Sequence, residues 1–220
     1  MNDVKKIVLI GAGGFGREVA SMIEVLNEIK PTYELLGFLD DGSQYHDGVV
    51  INGYPWLGNH DWIVEHKAET VCTCCIANPK IKKKIQEELT EKGVVFETII
   101  AYKGFGYIGP GTEIGPGCVF YGGVTISVDC KIGAGVVMNQ MVNIGHDVSI
   151  GDYTTIMPFT GISGNCKVGE TVNIGGHAFV VPGRKIGDGA TVAAGSIVFA
   201  NVKAGTTVLG NPAKRMRELE

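Results

Sequence analysis

From Ile108 to Lys203 an apolar residue returns every six positions without a break: Ile108, Ile114, Phe120, Ile126, Ile132, Met138, Ile144, Ile150, Ile156, Ile162, Val168, Ile174, Val180, Ile186, Val192 and Val198. These sixteen hexads also keep a small or β-branched residue in fifth place, with Arg184 the exception. A hexad is long enough for one short strand and a turn. Three of them therefore close a triangular coil whose aliphatic residues stack in an inner column, which is the parallel β-helix reading of the repeat. Gly follows the aliphatic residue in eight hexads (Gly109, Gly115, Gly133, Gly145, Gly151, Gly169, Gly175 and Gly187), where a tight corner is expected to use its backbone freedom, Asn139 being a weaker substitute.

The 220 residues exceed a typical single domain, and the texture of the chain changes near Ala101 to Gly106. Two domains are expected, an α/β domain over 1–100 and an all-β solenoid over 101–220. A net charge of -4 gives no electrostatic footprint for nucleic acid or an anionic membrane. No apolar run approaches the ~20 residues of a membrane span and no signal peptide is visible, so a cytoplasmic protein is expected. Cys118, Cys130 and Cys166 all fall in fifth place, where packing wants a small residue, while Cys72, Cys74 and Cys75 lie in a strand-like run. Their spacing lacks the paired arrangement of a zinc site, and all six read as reduced.

In the first hundred residues, Lys6 to Ile10 reads as a buried strand and Gly11-Ala12-Gly13-Gly14-Phe15-Gly16 as a glycine turn. Arg17 to Lys30 reads as a helix with Val19, Ile23, Leu26 and Ile29 on one face, ended by Pro31. A second strand, Leu35 to Leu39, is tipped by Asp40 and Asp41. Glycines 11, 13 and 16 between strand and helix let backbone N–H groups approach a phosphate, and the acidic pair falls where a ribose or base could be held. About 100 residues are roughly half of a dinucleotide fold, which argues against a hydride-transfer enzyme and suits a nucleotide-linked ligand, a purely structural glycine turn being the alternative. A third strand near Thr70 to Ile76 leads through Ala77-Asn78-Pro79 into a helix, Lys80 to Glu91, whose lysines 80, 82, 83 and 84 read as a solvated face.

Of five histidines, His46, His60 and His66 fall in loops and read as surface residues. His146 follows Ile144-Gly145 and precedes Asp147, a carboxylate able to orient its imidazole. A coil of 18 residues places Gly164 directly above His146, about 4.8 Å away by ordinary strand spacing, with Asn165 above Asp147. A base beside a glycine N–H is the minimal kit for acyl transfer, one group taking the nucleophile's proton and the other steadying the oxyanion. His177 falls on a different face and cannot pair with His146 within one chain. With only two solenoid histidines, no metal is expected.

The chain resembles the bacterial sugar acetyltransferases that join a small nucleotide-sugar-binding α/β domain of Rossmann type to a left-handed β-helix. Members include N-acetyltransferases of UDP-, dTDP- or GDP-linked 4-amino-4,6-dideoxy sugars and sialic acid O-acetyltransferases. The motifs that carry the resemblance are Gly11 to Gly16, Gly37-Phe38-Leu39-Asp40-Asp41, Ala77-Asn78-Pro79, Asn143 to Asp147, Ser163-Gly164-Asn165, and Gly210-Asn211-Pro212-Ala213-Lys214-Arg215-Met216. The left hand of the coil comes from this resemblance alone, since general crossover rules favour the right. The resemblance makes His146 the general base and Asp147 its acidic neighbour. It puts Gly13, Gly14, Phe15, Asp40, Asp41 and Ala77 on the nucleotide-sugar, and Thr155, Gly164, Gly176 and Ala194 on acetyl-CoA. Thr155 stands where some members have His, and Phe15 replaces a His of some relatives' glycine turn.

The activity so implied is acetyl-CoA-dependent N-acetylation of a nucleotide-linked amino sugar for bacterial surface glycans, by direct transfer in a homotrimer. Sugar O-acetylation, a nucleotidyltransferase and a non-catalytic nucleotide-sugar-binding protein are the alternatives. A nucleotidyltransferase would need a larger catalytic domain with a basic glycine-rich signature, which residues 1–100 lack.

Overall fold

The computed structural model describes residues 4–101 and 106–216. The chain divides into two compact units, Met1–Ala77 with Ile81–Ile99, and Asn78–Lys80 with Ile100–Glu220. The composition boundary at 101–106 falls largely on 102–105, outside the described residues.

The first unit opens with β1 (Lys5–Ile10), whose residues from Ile7 to Ile10 are fully buried. α1 follows at once over Gly14–Ile29, three residues earlier than the sequence suggested. Gly16 lies inside this helix against the Gly11 carbonyl, an approach that any side chain would block. Ile29 is 62 % exposed, so the buried stripe of α1 ends at Ile23 and the last apolar residue faces solvent. Then come β2 (Tyr33–Leu39), β3 (Val50–Ile51), β4 (Tyr54–Gly58), α2 (Asp61–His66), β5 (Thr70–Cys74) and α3 (Pro79–Glu91). The sheet order is β3-β4-β2-β1-β5, parallel except for the β3/β4 hairpin. Asn52-Gly53 turns that hairpin with positive φ at both residues, as a two-residue loop requires.

One expectation for α3 fails. Lys82 is completely buried with Gln86 and Leu89, because positions 82, 86 and 89 form the inward stripe of the helix. Its ammonium acts on Cys74, offsetting part of the rise that burial imposes on that thiol.

β6 (Ile99–Ile100) marks the passage into the second unit, which continues as sixteen two-residue strands, β7 (Tyr107–Ile108) to β22 (Ile197–Val198), each ending on a hexad's apolar residue. Every third strand pairs in parallel, as Asn143 with Gly161 and Ile144 with Ile162, so one coil is 18 residues. Three faces result. Face one runs β6, β9, β12, β15, β18 and β21, and is finished by β23 (Thr207–Leu209) and β24 (Lys214–Arg215); face two runs β7 to β22 in steps of three, and face three β8 to β20 likewise. The fourteen apolar openers from Phe120 to Val198 are at most 4 % exposed and form the inner column.

The corners correct the reading of the glycines. In every hexad opened from Ile108 to Val192 the left-handed residue is in fourth place, not second; eight of these fifteen are not glycine, from Asp129 to His177, with φ between 52° and 61°. Second-place glycines have ordinary φ and are needed for another reason. A Cβ on Gly115, Gly145, Gly151 or Gly187 would fall 2.5 to 2.6 Å from a backbone nitrogen of the next coil. At these corners stacked coils touch at second place, and the contact leaves no room for a side chain there.

Fifth-place side chains also carry a repeated bond. Thr112, Cys118, Cys130, Thr154, Thr160 and Cys166 each donate to the carbonyl fifteen residues on, as Cys130 does to Gly145 at 3.1 Å and Thr154 to Gly169 at 2.9 Å. These carbonyls belong to second-place residues at the corner, where the ladder leaves them open. All six cysteines are buried and unpaired with one another.

Candidate active site

The corner after face two carries the histidine. Because Asn143 and Ile144 register with Gly161 and Ile162, His146 falls beneath Gly164, and the Asn165 N–H donates to the His146 carbonyl at 2.9 Å. Asp147 takes the left-handed place, with φ 57° and its own N–H on the Val128 carbonyl at 3.1 Å. Asp is one of the few residues for which that conformation is inexpensive. The turn swings its carboxylate back to 2.7 Å from His146 Nδ1. A carboxylate only accepts, so Nδ1 carries the proton and Nε2 keeps its lone pair. That lone-pair nitrogen lies against Gly164, where a Cβ would come within 2.6 Å of it.

The residue one coil higher decides whether the Gly164 N–H is free. At the corner after face three, Asp152 accepts the Ala134 N–H at 2.8 Å, and Asp188 accepts that of Glu170 at 3.0 Å. In each case a third-place carboxylate caps the third-place N–H one coil below. Above Gly164 stands Pro182, which has no side-chain acceptor, and the Gly164 N–H makes no hydrogen bond among the described residues. The corner therefore holds an imidazole and an unoccupied backbone donor on adjacent coils, with His146 and Asp147 side chains 56 % and 54 % exposed.

The other solenoid residues singled out from sequence lie elsewhere. Gly176 and Ala194 stack one above the other at the corner before face two, on the opposite edge of that face from His146. Thr155 sits on face one and is 1 % exposed, so its hydroxyl is not open to solvent. His177 neighbours Gly176 and stacks on Phe159, ring centroids 4.9 Å apart and 12° from parallel.

In the first unit, the C-terminal ends of β1, β2, β4 and β5 meet at one sheet edge, with β2 and β5 on opposite sides of β1. Ligands in such sheets bind at that switch of direction. Gly13 and Gly14 at the start of α1 are exposed, and nothing lies within 4 Å of a Cβ at Gly13. Phe15 is half-buried beside them, and Ala77 is exposed beyond β5. Asp40 ties the turn together, its two oxygens accepting the Ala12 and Gly42 N–H groups at 2.8 Å each. Asp41 is left facing a cavity of about 210 Å³ that it shares with Gly11, Asp40 and His60.

His60 is the residue that sequence reading missed. Parallel pairing of β4 with β2 carries the loop after Gly58 alongside Asp40 and Asp41, and His60 Nδ1 lies 3.3 Å from Asp41 Oδ2. A larger concavity, about 460 Å³, runs along face three over Glu113, Lys131 and Ser149, but contains none of these groups. Among the described residues no group of three His, Cys, Asp or Glu side chains is placed to hold a metal, and no helix is long and apolar enough to cross a membrane.

A hexad coil with an imidazole held by a carboxylate beneath an open N–H combines a group able to accept a proton with one able to donate to an oxyanion. Residues 6–89 match the PglD N-terminal domain, and residues 147–182 match the bacterial transferase hexapeptide (six repeats). GDP-perosamine N-acetyltransferase of Escherichia coli O157:H7 is 32 % identical over 216 residues, 95 % of each chain. The acetyltransferase domain of PglB from Neisseria gonorrhoeae FA1090, solved in complex with acetyl coenzyme A, superposes with a TM-score of 0.86 at 29 % identity, over 97 % of this chain and all of that one. WeeI from Acinetobacter baumannii AYE superposes at 0.83 with 30 % identity, over 97 % of this chain and all of that one. The chain belongs to this family of hexapeptide-repeat sugar acetyltransferases, and its fold is their α/β domain followed by a left-handed parallel β-helix.

Proposed function

We propose that the protein transfers the acetyl group of acetyl-CoA to the 4-amino group of a nucleotide-linked 4-amino-4,6-dideoxy sugar, with His146 as general base. The observation that carries this reading is the His146 Nε2 lone pair, fixed by the 2.7 Å contact of Nδ1 with Asp147 and set against the open N–H of Gly164. The neutral amine attacks the thioester carbonyl, and the Gly164 N–H stabilises the tetrahedral oxyanion. Nε2 takes the proton that the nitrogen loses, Asp147 stabilises the imidazolium that forms, and the departing thiolate of CoA receives a proton as the carbonyl is restored. Cys130, on the coil below His146, is buried and donates to the Gly145 carbonyl, so the reading needs no acyl-enzyme.

The first unit holds the nucleotide in this reading. The exposed turn at Gly13, Gly14 and Phe15 and the helix start behind it would take the diphosphate, with Asp41 and Ala77 beside it. Gly176 and Ala194 are assigned to the coenzyme. Within one chain they lie across face two from His146, so a site that uses both needs a second copy. Face two suits this, since Met141, Phe159, Phe179 and Phe199 on it and its borders are 44 to 53 % exposed. We take the second copy to belong to the homotrimer, with sites between neighbouring coils, that the family resemblance implies. Thr155, buried in one chain, is the weakest member of the coenzyme set and would act only through packing.

Thiol release from acetyl-CoA with GDP-, UDP- and dTDP-linked 4-amino-4,6-dideoxyhexoses tests the reading. Turnover with one of them that disappears in His146→Ala supports it. Turnover with sialic acid alone would move the chemistry to oxygen, and no turnover with any sugar would leave a binding protein.

A further inference from the structure

Arg184 is the one charged residue in fifth place, and the fold does not require it. The other fifth places of the solenoid are all uncharged. Where their side chains bond, they donate to the carbonyl fifteen residues on, as Thr154 does to Gly169 at 2.9 Å and Cys166 to Val181 at 3.3 Å. Arg184 makes the same bond, its Nη1 donating to the Phe199 carbonyl at 3.5 Å, while Nε donates to the Pro182 carbonyl at 3.1 Å. A threonine would supply the bond of the repeat. The guanidinium has five N–H donors and these carbonyls take two. One edge of the group is thereby pinned to the coil, and the rest of the fork, with the positive charge, has no partner among the described residues.

Two further cations stand beside it. Lys185 follows Arg184 and pairs in register with Lys167 on the neighbouring strand of face three, and both are exposed. Like charges set directly opposite each other repel. Neither lysine has a carboxylate partner among the described residues, whereas Lys5, Lys6, Lys83 and Lys92 of the first unit each lie against a glutamate. An anion lying over this group would remove the repulsion and fill the guanidinium's open edge.

We infer that Arg184, with Lys185 and Lys167, is a phosphate site that anchors the acyl donor by the phosphates of its coenzyme A. This rests on the proposed function, which sets the thioester against Gly164 and gives the diphosphate of the nucleotide-sugar to the first unit. The anchor of Arg184, Pro182, stands one coil above Gly164 and two above His146 in the same column, about 10 Å along the corner from the imidazole. The pantetheine arm carries the phosphates away from the sulfur and is long enough to pass from Gly164 to that coil. A planar guanidinium held by one edge presents the other to two phosphate oxygens at once, which the lysines, as point charges, support without directing.

The test is calorimetric titration of the full-length protein with CoA, pantetheine, UDP and GDP, repeated on Arg184→Thr, Arg184→Lys and the double variant Lys167→Ser/Lys185→Ser, with a thermal melt of each. Arg184→Thr keeps a hydroxyl for the Phe199 carbonyl, as Thr154 does for Gly169, and removes only the charge and the fork, so its melting temperature should stay near that of the wild type. It should bind CoA about ten- to a hundredfold more weakly, the worth of a charge-assisted hydrogen bond, with pantetheine, UDP and GDP unaffected. Arg184→Lys should recover part of the loss, and the double variant should weaken CoA by a smaller factor that shrinks as salt is added. CoA affinity unchanged in Arg184→Thr, or an equal loss for pantetheine, overturns the inference. So does a loss confined to UDP and GDP, which would give the site to the nucleotide. Wild-type CoA binding that is indifferent to Arg184 defeats this inference alone, whereas a wild type that binds no CoA defeats the proposed function as well.

Discussion

A Cβ at Gly164 would lie 2.6 Å from Nε2 of His146, so the residue one coil above the imidazole sets the space around that nitrogen. The contact is with side-chain atoms, which can rotate away, so Gly164→Ala should fold. It should nevertheless push the imidazole off the site. We expect a rate lower by at least about tenfold and at most the 10²–10⁴ that a general base typically contributes, with the melting temperature little changed. Steady-state kinetics beside a thermal melt checks both halves. An unaltered rate would mean that Nε2 does not act where it lies.

Asp147→Asn keeps the size of the side chain and lets its amide present either face to Nδ1. The tautomer is then no longer fixed and the imidazolium loses its counter-charge. The rate should fall about ten- to a hundredfold, less than for removal of the imidazole, because the pair is more than half exposed and water screens it. The comparison is kcat for Asp147→Asn against kcat for His146→Ala at one pH.

The corners predict opposite responses to small changes. Gly151→Ala puts a methyl 2.5 Å from the Glu170 backbone nitrogen, which the coil cannot move, and should cost about 1–3 kcal/mol, as overpacking does. Thr171 is a β-branched residue held at φ 52°, and Thr171→Gly should stabilise by about 1 kcal/mol through relief of that strain. Urea unfolding of the two variants reads the signs directly.

How far the sequence was legible can be judged at these same positions. Every hexad opener became the last residue of a strand, and the 18-residue coil placed Gly164 over His146, because a repeat this regular fixes its own register. The role of the second-place glycines was misread, since their reason is a contact between residues seventeen to nineteen apart that only stacking reveals. His60 looked like a loop residue because its partner, Asp41, comes near it only through the pairing of β4 with β2. The hairpin that brings β4 there was signalled by Asn52-Gly53 and went unread. Lys82 failed for a related reason: four lysines in five positions suggest solvent, yet one of them shares the helix face of Gln86 and Leu89.

The cysteines make a pH prediction. Burial holds Cys72 and Cys75 well above the ordinary thiol value of 9.0 and pushes Cys74 up to about 11. Above pH 9 the unfolded chain loses these protons while the native protein keeps them. The unfolded state then binds fewer protons, and stability falls as pH rises from 9 toward 11, with no contribution from these thiols below that window. The urea midpoint should drop across this range, and the drop should be shallower in Cys74→Ala. In the native protein at pH 8 none of the six buried thiols should react with a thiol reagent on the timescale of mixing, and all six should react in denaturant.

The measurement that bears most directly on the account is acetyl transfer by His146→Ala, followed as thiol release from acetyl-CoA with the nucleotide-linked amino sugar that the wild type prefers. The account predicts a kcat about 10²–10⁴-fold below wild type, with binding of CoA and of the nucleotide-sugar preserved. A variant that turns over at the wild-type rate, or a wild type that acetylates no amino sugar, would contradict it.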